Sequence, residues 1–359
     1  MPDNKYLQVC SYENLFLAYE KARKGKTKKP YVLEFEKNLK QNLLQLRADL
    51  LFRSYRPEPL TTFIIKDPKT RKISKSAFRD RIVHHALYNV IEPLFERQFI
   101  YDSYANRIGK GTLKAIKRFE VFARKVSHNH QRPTYVLKAD IRHYFDTVDH
   151  EMVINLIRRR CSDNDILLLI QKILKNYKTT EGKGMPLGNL TSQFLANVYL
   201  HELDFFVKYT LRVKYYIRYV DDFVLLHESR DILNQYKEVL NEFLSVKLQL
   251  TLHPQKSKII QLHRGTEFLG MRIFQRYRLL KTKNLKKFYR KYKDLMAMYT
   301  QGGIDIDDLY DFLEGWFAYA AHANTYKLTQ RILQDAEPQM REIPTKEVNR
   351  YLKLTRNMQ

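Results

Sequence analysis

Two aspartates, Asp221 and Asp222, stand side by side in YYIRYVDDFVLLHE, residues 215–228, between two apolar runs. Adjacent carboxylates repel, and the repulsion raises the free energy of the ionised pair unless a cation sits between them. Asp is also a favoured turn residue, so the pair alone fits a solvated hairpin tip equally well. A third acid shifts that balance. Asp140 closes the run PTYVLKADI and opens the aromatic cluster DIRHYFDTVDH. Acids from a strand end and from a neighbouring hairpin can converge on one edge of a sheet. Hard cations such as Mg²⁺ take oxygen ligands and keep waters and substrate phosphates as the remainder. Two such ions, about 4 Å apart, can activate a 3′-hydroxyl and stabilise departing pyrophosphate.

The elements that must carry these acids follow from periodicity. Residues 133–141 predict a strand, and the chain after Asp149 a helix capped by that residue. A second helix follows SDND, where Ser162 and Asp165 have capping-box spacing. GKGMPLGN reads as a loop and LTSQFLANVYLHELDFFVKY as a helix. The Asp221 stretch is a hairpin, and LHPQKSKIIQL and TEFLGMRIF are further strands. Upstream, YENLFLAYEKARKGKTKKP is an amphipathic helix running into a basic loop, with six Lys or Arg from Lys21 to Lys29. Residues 33–55 keep helical spacing and predict one helix. TTFIIKDPKTRKISKSAF alternates around Asp67-Pro68 and predicts a two-stranded ribbon, with helix again in RDRIVHHALYNVIEPLFERQF. From about Leu280 the pattern is helical, broken at Gly302-Gly303.

The chain has 359 residues, 44% hydrophobic, with 64 Lys and Arg against 39 Asp and Glu, a net charge of +25. That excess points to a polyanionic partner, most often nucleic acid. Only two cysteines, Cys10 and Cys161, are present. Their separation excludes a disulfide framework or a zinc motif as the organising device and fits a reducing compartment. The N-terminus lacks a signal-peptide pattern, and no apolar run approaches the ~20 residues that cross a bilayer. A cytoplasmic protein with no membrane partner is expected.

Taken in order, these motifs resemble the reverse transcriptases. YVDDF (219–223) is similar to the family's Y-x-D-D box, LKADIRHYF (137–145) to its first catalytic motif, HPQKSKI to its lysine motif and EFLG (267–270) to its primer grip. FRDRIVHHALYNVIEPLFERQF through SYANRIGKG resembles finger segments of the bacterial, group II intron-like branch. The likeness runs from about Thr62 to Phe274. It implies an α+β right-hand polymerase with fingers, an antiparallel-sheet palm and a helical thumb. The expected divisions are an N-terminal helical extension (1–60), fingers (61–135), palm (136–275) and thumb (276–359).

By the same resemblance Asp140 and Asp221 are the main ligands of two Mg²⁺ ions, with Mn²⁺ as a substitute. The Ile141 carbonyl lies nearby and Asp222 supports. Phe145, five positions after Asp140, falls where the family has a steric gate against a ribose 2′-hydroxyl; a core aromatic is the alternative. Lys66, Arg71 and Lys72 flank the ribbon that grips the triphosphate, and Lys256 matches the lysine that protonates pyrophosphate. Arg suits bidentate phosphate contact, whereas Lys acts as a point charge.

The loop MPLGNLTSQFLAN departs from the wider family. Where Q-G-x-x-x-S-P is usual, Leu187 replaces the glutamine, Gly188 is kept, and Gln193 replaces the proline. L-G-x-x-x-S-Q resembles diversity-generating retroelement reverse transcriptases, which copy a template RNA into cDNA with frequent errors opposite adenine. GWFAYAAHANTYKL (315–328) is similar to that subfamily's thumb. The resemblance implies template RNA, an RNA/cDNA duplex and dNTPs as partners, with an oligomeric accessory protein. The length leaves no expected room for an integrase, endonuclease, RNase H or maturase extension. A group II intron or retron type enzyme, and an RNA-binding protein on an inactive polymerase fold, stay open as alternatives.

The run RIFQRYRLLKTKNLKKFYRKYK, residues 272–293, holds ten Lys or Arg and no acid. Arg276, Lys283, Lys286, Lys287, Arg290 and Lys291 are its candidate phosphate contacts. Its interleaved rings are expected to build the thumb core rather than stack on bases.

Overall fold

The computed structural model of the chain describes residues 4–66, 70–177 and 180–336. The Asp67-Pro68 turn and residues 337–359 of the expected thumb lie outside these. The fold mixes helices with antiparallel sheet, and the chain forms two compact units. One comprises Met1–Gly111, Ala139–Phe223 and Gln235–Ser257, the other Thr112–Lys138, Val224–Asn234 and Lys258–Gln359.

The first unit opens with helices α1 (Lys5–Cys10), α2 (Tyr12–Arg23), α3 (Pro30–Lys37) and α4 (Leu39–Leu51). The single helix expected over 33–55 is two. Asn38, at φ −128° and ψ 43°, leaves helical geometry and lets α4 start in a new direction. Pro30 sits at the start of α3, where its missing N–H costs nothing. Strands β1 (Thr61–Ile65) and β2 (Arg71–Lys75) then form the expected antiparallel ribbon, Ile64 opposite Lys72 and Ile65 opposite Arg71. Helix α5 (Phe78–Glu96) follows.

Helix α6 (Thr112–Val126) begins the second unit, and strand β3 (Tyr135–Asp140) leads from it back into the first. There α7 (Tyr144–Thr147), α8 (His150–Arg158) and α9 (Asn164–Lys175) precede α10 (Leu190–Phe205). Asp149 caps α8, its side chain accepting the Met152 amide at 2.9 Å. The α9 cap is Asp163 rather than Ser162. Its carboxylate accepts the amides of Asp165 and Ile166 at 3.0 and 3.3 Å. Most of α10 is buried, from Thr191 to Asp204, as expected of a helix apolar around its circumference.

Strands β4 (Tyr216–Tyr219) and β5 (Asp222–His227) flank the acidic turn, and α11 (Arg230–Leu248) follows. With β6 (Lys258–Gln261) they complete a four-stranded sheet of order β4-β5-β3-β6. Val136 pairs with Ile260 and Lys138 with Lys258, antiparallel. The centre of β5, Phe223 to Leu226, is wholly buried, matching its unbroken apolar run.

In the second unit β7 (Thr266–Phe268), β8 (Met271–Ile273) and β9 (Arg278–Leu280) make a small meander. Strand β9 ends at Leu280, where the stretch expected to be helical begins. Helices α12 (Thr282–Thr300), α13 (Ile306–Ala320) and α14 (Tyr326–Ala336) close the unit, with the Gly302-Gly303 break between the first two. Phe288 stacks on Trp316 at 3.8 Å and on Phe312 at 5.5 Å, and Tyr292 joins them in the core. The α12 rings of the basic run therefore pack the helices together, whereas Phe274 and Tyr277 stack on each other outside that core, with Tyr277 exposed.

Candidate functional site

Strand β3 delivers Asp140, the β4–β5 turn delivers Asp221, and Asp222 opens β5. The Ile141 amide donates to the Asp221 carbonyl at 3.3 Å, setting the strand end beside the turn. The His253 amide donates to the Asp140 carbonyl at 2.7 Å, and Arg142 N–H to Thr251 O at 2.9 Å. Lys256 Nζ lies 3.1 Å from Asp140 Oδ1. Three segments distant in sequence thus meet at the acids.

Their electrostatics are those of crowded like charges. Burial, then the neighbouring Asp222 carboxylate, push Asp221 up to about 6; Asp140 adds to this and Lys256 opposes it. Among the described residues no three His, Cys, Asp or Glu side chains are gathered closely enough to hold an ion as they stand. The donor chemistry nevertheless fits a divalent metal. All the donors are hard oxygens, and the ionised form of Asp221 lacks the compensation a cation would bring.

The backbone around the acids is unusual. Val220, inside the turn, has φ +55°, a conformation that crowds a β-branched side chain and costs on the order of 1–3 kcal/mol. His143, before α7, is also left-handed at φ +48°. It precedes two consecutive rings that differ in burial. Tyr144 is buried, its hydroxyl donating to Ala196 O at 2.8 Å. Phe145 is half-buried, its ring 5.4 Å from that of Tyr144. Of the two adjacent rings, Tyr144 takes the core position, and the Phe145 carbonyl accepts the Met185 amide at 2.7 Å.

That amide ties in the loop before α10. Leu187 O accepts the Ser74 amide of β2 at 3.1 Å, and Asn189 Oδ1 accepts the Ser76 amide at 3.2 Å. Gly188 has φ +108°, and a Cβ there would stand 2.9 Å from Ile73 Cγ2. Only glycine lets the loop lie this close to the ribbon. Leu187 and Gln193 are half-buried, while Lys66, Arg71 and Lys72 are exposed on the ribbon. In the second unit Lys283, Lys286, Arg290 and Lys291 lie exposed on α12, Lys287 is half-buried, and Arg276 is exposed between β8 and β9.

The family profile described as Reverse transcriptase (RNA-dependent DNA polymerase) matches residues 64–273. The chain belongs to the reverse transcriptase family. The span includes β2 of the ribbon, all three aspartates, the Leu187 loop and the first two strands of the small meander. This reverse transcriptase is 28% identical over 271 residues to Protein YkfC of Escherichia coli, covering 64% of this chain and 71% of that one. It is 25% identical over 292 residues to the Group II intron-encoded protein LtrA of Lactococcus lactis subsp. cremoris. That match covers 60% of this chain and 47% of LtrA, about half the relative's length. A structure of apo telomerase from Candida tropicalis is 14% identical with a TM-score of 0.44, covering 65% of this chain and 58% of that one. No helix among the described residues is long and apolar enough to cross a membrane.

Sequence reasoning missed the residues directly beneath the reverse transcriptase's acidic turn. Arg218 of β4 is fully buried and pairs with Asp204 of α10, Nε to Oδ1 at 2.7 Å and Nη2 to Oδ2 at 2.6 Å. Asp204 Oδ1 also accepts the Tyr216 hydroxyl at 2.8 Å. Burial alone would lower the arginine's pKa, but the Asp204 carboxylate reverses that and raises it. Breaking one side of such a pair typically costs about 3–5 kcal/mol. The signal was present as a lone arginine in the apolar strand YYIRYV.

Proposed function

We propose that the chain is an RNA-directed DNA polymerase that extends a DNA primer on template RNA with dNTPs. The observation that carries this is the convergence of Asp140 and Asp221, stitched by the Ile141–Asp221 backbone bond at 3.3 Å. Asp140 and Asp221 would hold two divalent ions, Mg²⁺ or Mn²⁺, with the Ile141 carbonyl and Asp222 in support. When bound, the ions would activate the primer hydroxyl and offset charge on the departing pyrophosphate. Phe145 excludes a ribose 2′-hydroxyl from the nucleotide pocket. Lys66, Arg71 and Lys72 attract the triphosphate, Lys256 stands ready to donate a proton to the leaving group, and the α12 lysines track the duplex phosphates.

Within the family, Leu187 and Gln193 support a diversity-generating retroelement enzyme making adenine-mutagenised cDNA with an oligomeric accessory protein. A polar side chain at position 187 would offer directional contact near the nascent base pair, whereas leucine offers shape alone, and polar contacts discriminate far more strongly. The likeness to LtrA favours a second reading, a group II intron type enzyme.

Extension of oligo-dT on poly(rA) tests the activity, with Asp221→Asn as control. No extension by the wild type would overturn it. Sequencing cDNA from wild type and Leu187→Gln on one RNA tests the subfamily. The retroelement reading expects errors concentrated opposite adenine that fall in the variant; an even spectrum in the wild type favours the second.

A further inference from the structure

We propose that Arg218 is a positioning residue for the acidic turn: bolted to α10, its guanidinium fixes the Val220 carbonyl and so sets how Asp221 presents its carboxylate to a divalent ion. The inference rests on the polymerase reading and assigns the turn's geometry to one buried side chain.

The guanidinium is used on two sides. Nε and Nη2 grip the two oxygens of Asp204. Nη1 is thereby aimed at Asn197 Oδ1, 3.1 Å away, and at the Val220 carbonyl, 3.2 Å away. Asn197 is oriented in turn, because its Nδ2 donates to Ala105 O at 2.8 Å. The arginine backbone is held as well, its N–H on Asp102 O at 3.0 Å and its carbonyl accepting Tyr104 N–H at 2.9 Å. Every part of Arg218 is referenced to rigid neighbours before it reaches the turn.

The turn needs that reference. Val220 is β-branched at φ +55°, and an unsupported turn would relax toward a less crowded conformation. Its carbonyl belongs to the peptide that leads into Asp221, so fixing it fixes the rotation of the next residue. A lysine would keep a charge against Asp204, but its single ammonium lacks the planar fork that serves Asp204 and the turn together. A stability role alone would not need the ion pair, since apolar replacements of buried pairs are often neutral or stabilising.

The test uses the full chain and three proteins: wild type, Arg218→Lys, and the double variant Arg218→Met with Asp204→Leu, which removes both charges. Mn²⁺ binding without nucleotide, followed by paramagnetic resonance, reads the site independently of turnover. Thermal melting and primer–template affinity report folding. Expected are near-wild-type melting of the double variant, unchanged primer–template affinity, and Mn²⁺ affinity weakened about tenfold or more, with Mg²⁺ for half-maximal extension rising in parallel. Loss of fold would lower the fraction of binding sites and leave their affinity unmoved. If the double variant does not fold, Arg218→Lys carries the same readouts. A folded variant with wild-type Mn²⁺ affinity and Mg²⁺ dependence overturns the proposal. A wild type that binds Mn²⁺ but extends no primer would instead overturn the polymerase reading.

Discussion

Lys256 Nζ sits 3.1 Å from Asp140 Oδ1, with the lysine side chain 51% exposed and the carboxylate 15%. The lysine therefore occupies one oxygen of a carboxylate proposed to hold a cation. Such a partly exposed pair is worth under about 1 kcal/mol, so the competition is mild. Lys256→Ala should lower half-saturating Mg²⁺ roughly two- to fivefold while slowing nucleotide turnover. Extension rates across a Mg²⁺ titration measure both. An unchanged midpoint would mean that lysine and metal do not share Asp140.

Asp221 gives a pH signature with a definite sign. Its pKa rises from an ordinary value of 3.8 to about 6 in the fold, so the folded chain holds this proton longer than the unfolded chain does. The stability it contributes is complete below about pH 4 and is lost as pH rises through 6. Metal-free wild type should weaken over that interval by roughly 1–3 kcal/mol. Asp221→Asn should lack this loss, melt higher than wild type at pH 7.5 without metal, and extend primers at least about a hundredfold more slowly. Melting curves at pH 4.5 and 7.5 decide it; a variant less stable at both pH values contradicts the assignment.

Phe145 stands half-buried beside a fully buried Tyr144. Phe145→Ala should raise ribonucleotide incorporation relative to deoxynucleotide by about tenfold or more, with little loss of fold. Tyr144→Ala should instead destabilise, by about 3–5 kcal/mol. Competition between dNTP and rNTP on one primer–template gives the ratio. If it does not move in Phe145→Ala, the gate lies elsewhere.

Gly188→Ala meets two penalties, a φ of +108° and Ile73 Cγ2 at 2.9 Å. A loss of about 1–3 kcal/mol is expected, with KM for dNTP rising as the loop leaves the ribbon. Adding Ile73→Ala should recover part of the loss, since it removes the contact and leaves the backbone strain. Full recovery would show that the conformation costs nothing.

Replacing Lys283, Lys286 and Lys291 by Gln should flatten the salt dependence of primer–template binding. Each lost phosphate contact lowers the log–log slope by about 0.7–0.9. Because these side chains lie exposed while Phe288 and Tyr292 form the core, melting should be unaffected. A wild-type slope would remove this face from the duplex path.

What the sequence makes legible depends on how local each cause is. Asp140 at a strand end, the Asp221 hairpin and the capped α8 are set by neighbours within a few positions, and each follows from pattern. Asn38 splits a helix that periodicity runs straight through, its backbone leaving helical geometry where the apolar spacing continues. Leu233, Leu240, Leu244 and Leu248 of α11 bury at helical spacing, so α11 too has a cause local to its own segment. The Arg218 network is different in kind. Its partners lie on another element, so the sequence displays only an arginine where an apolar residue would pack.

Helix α10 touches every part of this assembly. The loop at its N-terminus meets the ribbon, its Ala196 carbonyl anchors Tyr144, and Asn197 and Asp204 hold the strand beneath the acids. Such shared support is expected to make the ribbon, the Phe145 segment and the acidic turn open together in local unfolding rather than fray in turn. Substitutions along α10 would then disturb the proposed nucleotide-selecting, sugar-selecting and metal-holding roles at once. Evolution could tune those properties separately only from the loop and turn residues that the helix supports.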